Sequence, residues 1–174
     1  MVIRNTCWHT DREQLSNFDA SFSTEFVYRV VLNGISAEIL EEKLDAPLQK
    51  IFPLDVESDI SGANFSVVAE INRVIVGFAT AKYENWNKRV VLTGVYVLPN
   101  SKSKGIGKAL MDAVLDYAKT TPARCLWLET QNVNSPAIAF YTKLGFQFCG
   151  FDTTLYDDTE TSLNEVAFYF CRFI

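Results

Sequence analysis

The chain has 174 residues, which suits one domain with a sizeable core. A formal net charge of −5 argues against a nucleic-acid partner, because phosphate contacts need basic patches. No run approaches membrane-spanning length and the N-terminus lacks the apolar stretch of a signal peptide, so a cytoplasmic chain with reduced thiols and no membrane partner is expected. Cysteines stand at 7, 125, 149 and 171 with no CxxC pair, and His9 is the only histidine near any of them, so no metal is expected. Cys125 and Cys171 lie in apolar runs, where a thiol acts as a small hydrophobe.

Residues 1–24 are polar and mixed, either a frayed arm or an irregular packed segment. Glu25 to Asn33 is rich in β-formers and ends at an Asn33-Gly34 turn signal, so it reads as the first strand. Between 35 and 60, Ile39, Leu40, Leu44, Leu48, Ile51 and Phe52 recur at roughly helical spacing. Pro47 and Pro53 interrupt that pattern, so a short helix and an extended segment crossing an edge both fit. Asp55, Glu57 and Asp59 read as a solvated loop, with a cation-binding rim as the alternative. Phe65 to Ile71 and Val74 to Lys82 flank Asn72-Arg73 and predict a tight hairpin. Val90 to Leu98 is the next strand, reached through a connector holding Glu84 and Trp86. Gly94 inside it signals a bulge or a close backbone approach.

The strand runs through Val95, Tyr96 and Val97 into Pro99, then a loop of Lys102, Ser103, Lys104 and Gly105. Ile106, Gly107, Lys108 and Ala109 open a helix whose apolar stripe is Leu110, Met111, Val114, Leu115 and Ala118. Thr121-Pro122 stops that helix, and Cys125 to Thr130 is a strand predicted parallel to Val90–Leu98. Asn134-Ser135-Pro136 reads as a capped helix start, with Ala137, Phe140, Tyr141 and Leu144 on the buried face and Gly145 ending it. Phe146 to Phe151 is a strand, Asp157 to Ser162 a polar turn, and Glu165 to Phe173 the last strand. The order gives a mixed α/β single domain, 1–174.

A strand, a glycine-containing basic loop and a helix N-terminus make an anion site, because backbone N–H groups and the helix dipole converge there. A P-loop would need Gly at Lys102 and Ser or Thr at Ala109. A dinucleotide fingerprint would need a third glycine at Leu110. A plain glycine helix start is the alternative to an anion site.

The run Val97-x-Pro99-x-x-Lys102-x-x-Gly105-x-Gly107 resembles the pyrophosphate loop of the GNAT superfamily of acyl-CoA N-acyltransferases, with Lys102 where Arg or Gln is usual and Ser103 where a further Gly is common. Asn134-x-x-Ala137-x-x-Phe140-Tyr141-x-x-x-Gly145-Phe146 resembles the downstream element of the same superfamily. The stretch from about 125 to 170 is similar to the C-terminal half of the streptothricin acetyltransferases, whereas Thr93 aligns with a Glu usual in those enzymes. The resemblance implies a GNAT-like central mixed sheet of about six to seven strands with flanking helices, and a cofactor core at about 90–151. It implies acetyl-CoA as cosubstrate, held by residues 95–97, 102–109, Asn134 and Tyr141.

It implies, further, a small-molecule amine substrate of cationic character, such as streptothricin, and an antibiotic-resistance role. Tyr141 would protonate the departing thiolate, or else be a core aromatic. Backbone N–H groups at Val95 to Val97 would polarise the thioester carbonyl, with Gly94 permitting the distortion. Glu129 leads the candidates for the base, followed by Glu84, Asp152 and Glu165, each with a plain surface or strand-end charge as its alternative. Acetylation of a protein or peptide amine, of the ribosomal-protein type, and a non-catalytic acetyl-CoA sensor are the competing functions. A homodimer stays open.

Overall fold

The strand Phe65 to Ile71 and the left-handed pair Asn72 (φ 51°) and Arg73 (φ 68°) fold as the hairpin the sequence predicts. The computed structural model describes residues 1–52, 54–157 and 165–174. Strands are β1 (Val2–Asn5), β2 (Phe22–Asn33), β3 (Ser36–Lys50), β4 (Phe65–Ile71), β5 (Val74–Glu84), β6 (Arg89–Val97), β7 (Cys125–Gln131), β8 (Gln147–Asp152) and β9 (Ala167–Phe173). Helices are α1 (Trp8–Leu15), α2 (Val56–Ser61), α3 (Ile106–Lys119) and α4 (Ser135–Lys143). Seven strands form a mixed sheet in the order β1-β4-β5-β6-β7-β9-β8, and β2 pairs with β3 as a separate ribbon. The expected α/β class and strand number are therefore met. No described helix is long and apolar enough to cross a membrane.

Two compact units divide the chain, one of residues 1–21, 51–128 and 172–174, the other of residues 22–50 and 129–171. In the first, β6 and β7 run parallel, as the connecting helix α3 requires. All five residues of the predicted α3 stripe are buried, together with Ile106. Gly77 and Phe78 point to opposite faces of β5. A Cβ at Gly77 would meet Ile106 and Leu110 of α3 within 3.3 Å, so α3 lies on that face. Phe78 meets Phe18 edge-on at 5.1 Å and shares a cluster with Leu15, Val56, Val68 and Ile75, so α1 and α2 lie on the other.

Residues 1–24 correct the expectation of an arm or irregular segment. Val2–Asn5 pairs antiparallel with β4, and Trp8–Leu15 is helical. Arg4 clamps this region, bonding Asp11 at 2.8 Å and Glu70 at 2.8 Å. The acidic trio is not the expected solvated loop. Asp55 caps α2 by accepting from Ser58 N–H at 3.2 Å, and Glu57 and Asp59 occupy the first turn, where the helix dipole favours them.

In the second unit, residues 36–50 are strand, so of the two open readings the extended one holds. The helix-like spacing has a local cause. Leu48 faces Thr24 and Lys43 faces Phe26, so residues 44–47 bulge opposite Glu25. Pro47 lies in this bulge and has no N–H for a ladder. Cross-strand bonds of Tyr28 to Glu41 (3.0 Å) and Arg29 to Glu42 (2.7 Å) lace the ribbon.

Asn134 caps α4 as expected, accepting from Ala137 N–H at 3.2 Å, and Gly145 (φ 82°) ends it. Its buried face differs from the expected one: Ile138 and Tyr141 are buried, whereas Ala137, Phe140 and Leu144 are half-buried. The expected polar turn at Asp157 to Ser162 lies beyond Asp157 outside the described residues, as does Pro53.

Candidate active site

In the first unit the bulge signalled by Gly94 is present. Thr80 faces Gly94 and Ala81 faces Leu92, leaving Thr93 as the extra residue. Thr93 Oγ1 bonds Thr80 Oγ1 at 2.8 Å. A Cβ at Gly94 would stand 2.7 Å from the Tyr96 ring and 3.2 Å from Thr80 Oγ1, so this close approach needs glycine. The β6–β7 ladder runs from Arg89↔Cys125 to Leu92↔Leu128. Thr93 to Val97 lies past its last pair, with Val95, Tyr96 and Val97 held by β5 on the other side. The Tyr96 ring sits against Phe78 (5.1 Å) and Phe52 (5.9 Å).

After Val97, residues 99–101 form one 3-10 turn. Ser103 (φ 62°) and Gly105 (φ 80°) are left-handed. A non-glycine residue in that conformation, here Ser103, is strained by about 1 kcal/mol. Gly105 is the N-cap of α3, and the first helical bond runs from Ala109 N–H to Gly105 C=O at 3.0 Å. The N–H groups of Ile106, Gly107 and Lys108 precede it and have no intrahelical acceptor.

The loop's lysines are tied to protein groups. Lys102 Nζ donates to Ser21 C=O at 2.8 Å, and desolvation draws its pKa down. Lys104 Nζ donates to Asn100 C=O, and Lys108 pairs with Asp112 at 2.6 Å. The anion-attracting groups of this segment are thus the backbone N–H groups and the helix end, rather than a cluster of extended ammonium groups.

The second unit holds Glu129, Asn134 and Tyr141. Tyr141 is 7% exposed, its ring tilted against Phe140 (5.5 Å) and Phe146 (5.8 Å). Asn134 spends its Oδ1 on the α4 cap. Glu129, near the end of β7, accepts a hydrogen bond from the Tyr156 hydroxyl. Burial pushes the Glu129 carboxyl above its ordinary range, the Tyr156 bond pulls it partly back, and the charge of Glu165 pushes it up again. Burial and Glu129 together drive the Tyr156 phenol upward.

The other candidate bases are engaged differently. Glu165 is 6% exposed, ion-paired with Lys50 and bonded by Gln131 Nε2 at 2.8 Å. Asp152 accepts from the Thr154 N–H and hydroxyl, which hold its carboxyl below the usual range. Glu84 accepts from Asn87 Nδ2 at 3.0 Å in the β5–β6 turn. The surroundings of Glu129 thus raise its basicity. Among the described residues no group of three His, Cys, Asp or Glu side chains is arranged to hold a metal ion.

Sequence reasoning missed Tyr156, Lys50 and Asn132. Asn132 is 4% exposed and stitches three segments, giving Nδ2 to Tyr28 C=O (2.7 Å) and accepting at Oδ1 from Val166 N–H (2.8 Å). A lone Tyr and a lone Lys, 27 and 115 residues from their partners, carry no local signal.

A family model described as the Acetyltransferase (GNAT) family matches residues 32–146. The chain is 36% identical over 167 residues to a streptothricin acetyltransferase of Streptomyces lavendulae, covering 91% of this chain and 88% of the relative. The crystal structure of a nourseothricin acetyltransferase superposes with a TM-score of 0.87 at 36% identity, covering 98% of this chain and 96% of that one. A structure assigned as a streptothricin acetyltransferase from Bacillus anthracis str. Ames, in complex with acetyl coenzyme A, superposes at 0.79 with 27% identity over 99% and 97% of the two chains. By the model match and by this likeness along most of its length, the chain belongs to the GNAT family of acetyltransferases.

Proposed function

We propose that the protein transfers the acetyl group of acetyl-CoA to a primary amine of a streptothricin-class cationic antibiotic, as one resistance enzyme acting in the cytoplasm where acetyl-CoA is available. The observation that carries this reading is the extent of the likeness to a streptothricin acetyltransferase. It runs over 167 residues and so includes the half of the chain outside the acyl-CoA loop. The relative bound to acetyl coenzyme A supports the donor.

In this reading the Lys102–Ala109 segment receives the pyrophosphate on the backbone N–H groups of the loop and of the α3 start. Val95 to Val97 of β6, past the last β6–β7 pair, offer backbone N–H groups to the pantetheine arm and to the thioester carbonyl. Asn134, with Oδ1 capping α4, contacts the cofactor through its amide N–H groups. Glu129 accepts the proton of the acceptor ammonium, for which its raised pKa suits it. The freed amine attacks the thioester carbon, the C–S bond breaks as the thiolate takes the Tyr141 proton, and the adduct nitrogen releases its extra proton, which restores the Tyr141 hydroxyl through solvent. The products are the N-acetyl amide and the free thiol of coenzyme A.

Expression in a streptothricin-sensitive host tests the proposal. Protection that vanishes with Tyr141→Phe supports it. Growth inhibition at the same antibiotic concentration as the empty vector would refute the acceptor assignment.

A further inference from the structure

The second unit carries two mostly buried carboxylates that bear on one another, and one of them has a resident counter-ion. Glu165 has a side chain 3% exposed, and both of its oxygens are occupied, one by Lys50 Nζ and the other by Gln131 Nε2 at 2.8 Å. Lys50, at the end of β3, is itself only 18% exposed at its side chain. Glu129 and Gln131 are two apart on β7 and so share a face of that strand. Glu129 accepts the Tyr156 hydroxyl, and no Lys or Arg among the described residues is within ion-pair distance of it.

The difference is chemical. A buried carboxylate without a cation attracts one from outside, whereas a carboxylate whose oxygens are both satisfied does not. Without Lys50, the second oxygen of Glu165 would open as a competing acceptor of protons and ammonium groups beside Glu129. We propose that Lys50 is a positioning residue for the transfer reaction: its ion pair with Glu165 closes that carboxylate and leaves Glu129 as the one open receptor for the acceptor ammonium and its proton.

This inference rests on the assignment of Glu129 as base. The groups that face Glu129 are Tyr156 after β8, Glu165 before β9 and Tyr169 on β9, with Asp152 of β8 acting through Tyr169 and Lys50 of β3 through Glu165. Neither Tyr156 nor Tyr169 changes charge near neutrality, because both phenols are shifted up. The Lys50–Glu165 pair therefore sets the local charge that Glu129 feels.

The test is the pH profile of kcat/KM for two variants that unbalance the pair in opposite senses. Lys50→Met leaves a net negative neighbour and should move the acidic limb to higher pH. Glu165→Gln leaves a net positive neighbour and should move it to lower pH. A separation of about one pH unit makes kcat/KM differ about tenfold at a pH below both limbs. The double variant should return to the wild-type limb. A purely structural role would lower both profiles without separating their limbs, and limbs that coincide or separate in the reverse order overturn the proposal. Glu129→Gln distinguishes the underlying assignment: if its acidic limb persists, Glu129 is not the base, whatever Lys50 does.

Discussion

The hydroxyl of Tyr156 donates to the carboxylate of Glu129 from the segment that follows β8. A donor of this kind favours the ionised carboxylate and opposes the rise that burial imposes. Tyr156→Phe removes the donor and keeps the ring. The Glu129 pKa should then climb further, and the acidic limb of kcat/KM should move to higher pH by about half a unit or more. A limb at the wild-type position would separate Tyr156 from the titrating group.

Glu129 should also reduce stability. Its folded pKa lies above the ordinary 4.5, so the fold keeps a proton that the unfolded chain has released. Stability then falls as pH rises from 4.5 through the folded value. Glu129→Gln removes that loss while its side-chain oxygen can still accept from Tyr156. The variant should be more stable than the wild type at pH 8 by on the order of 1 kcal/mol and equal to it at pH 4, with activity strongly reduced. Thermal unfolding at the two pH values checks this; an equal difference at both would contradict it.

Tyr141 is locked between Phe140 and Phe146, so Tyr141→Phe should preserve the packing and delete only the hydroxyl. If that hydroxyl protonates the thiolate, kcat should fall by about a hundredfold or more with the dissociation constant for acetyl-CoA nearly unchanged. An unchanged kcat would return Tyr141 to the role of a core aromatic.

The loop can be tested without damage to the core. A Cβ at Gly105 meets nothing within 4 Å, and Asp tolerates left-handed φ better than most residues. Gly105→Asp should therefore fold, yet place a carboxylate where the pyrophosphate is proposed to sit. Calorimetry should show acetyl-CoA affinity lowered at least about a hundredfold at a melting temperature within a few degrees of wild type. Wild-type affinity would contradict the loop assignment.

In the first unit, Arg4 holds the Asp11 carboxyl below its ordinary value of 3.8. The stabilisation is complete above that value and is lost as pH falls through the lower folded value. Asp11→Asn should cost about 1–3 kcal/mol at pH 7 and progressively less below pH 3.8. Denaturant unfolding measured across that range decides it.

What could be read from the chain was local. The α3 stripe, the Asn134 cap, the Gly94 bulge and the Asn72-Arg73 turn depend on residues within a few positions of one another, and all are present. The β3 strand was ambiguous because the bulge at residues 44–47 breaks the two-residue alternation that marks a strand. Helix α1 escaped notice because its buried contacts are only Asp11 and Leu15, too few to show a period. The neighbours of Glu129 were illegible for a different reason: Tyr156 and Glu129 meet across 27 residues, and Lys50 and Glu165 across 115. The turn from β6 into the α3 start was therefore readable, while the groups that tune the candidate base were not.

Acetyl transfer to a streptothricin amine is directly measurable. Purified protein should be incubated with acetyl-CoA and streptothricin, and the antibiotic analysed by mass spectrometry beside the thiol released. One acetyl group on streptothricin, matched by one equivalent of thiol and absent with Gly105→Asp, is the predicted result. Unmodified streptothricin alongside acetylation of a peptide N-terminus would contradict it.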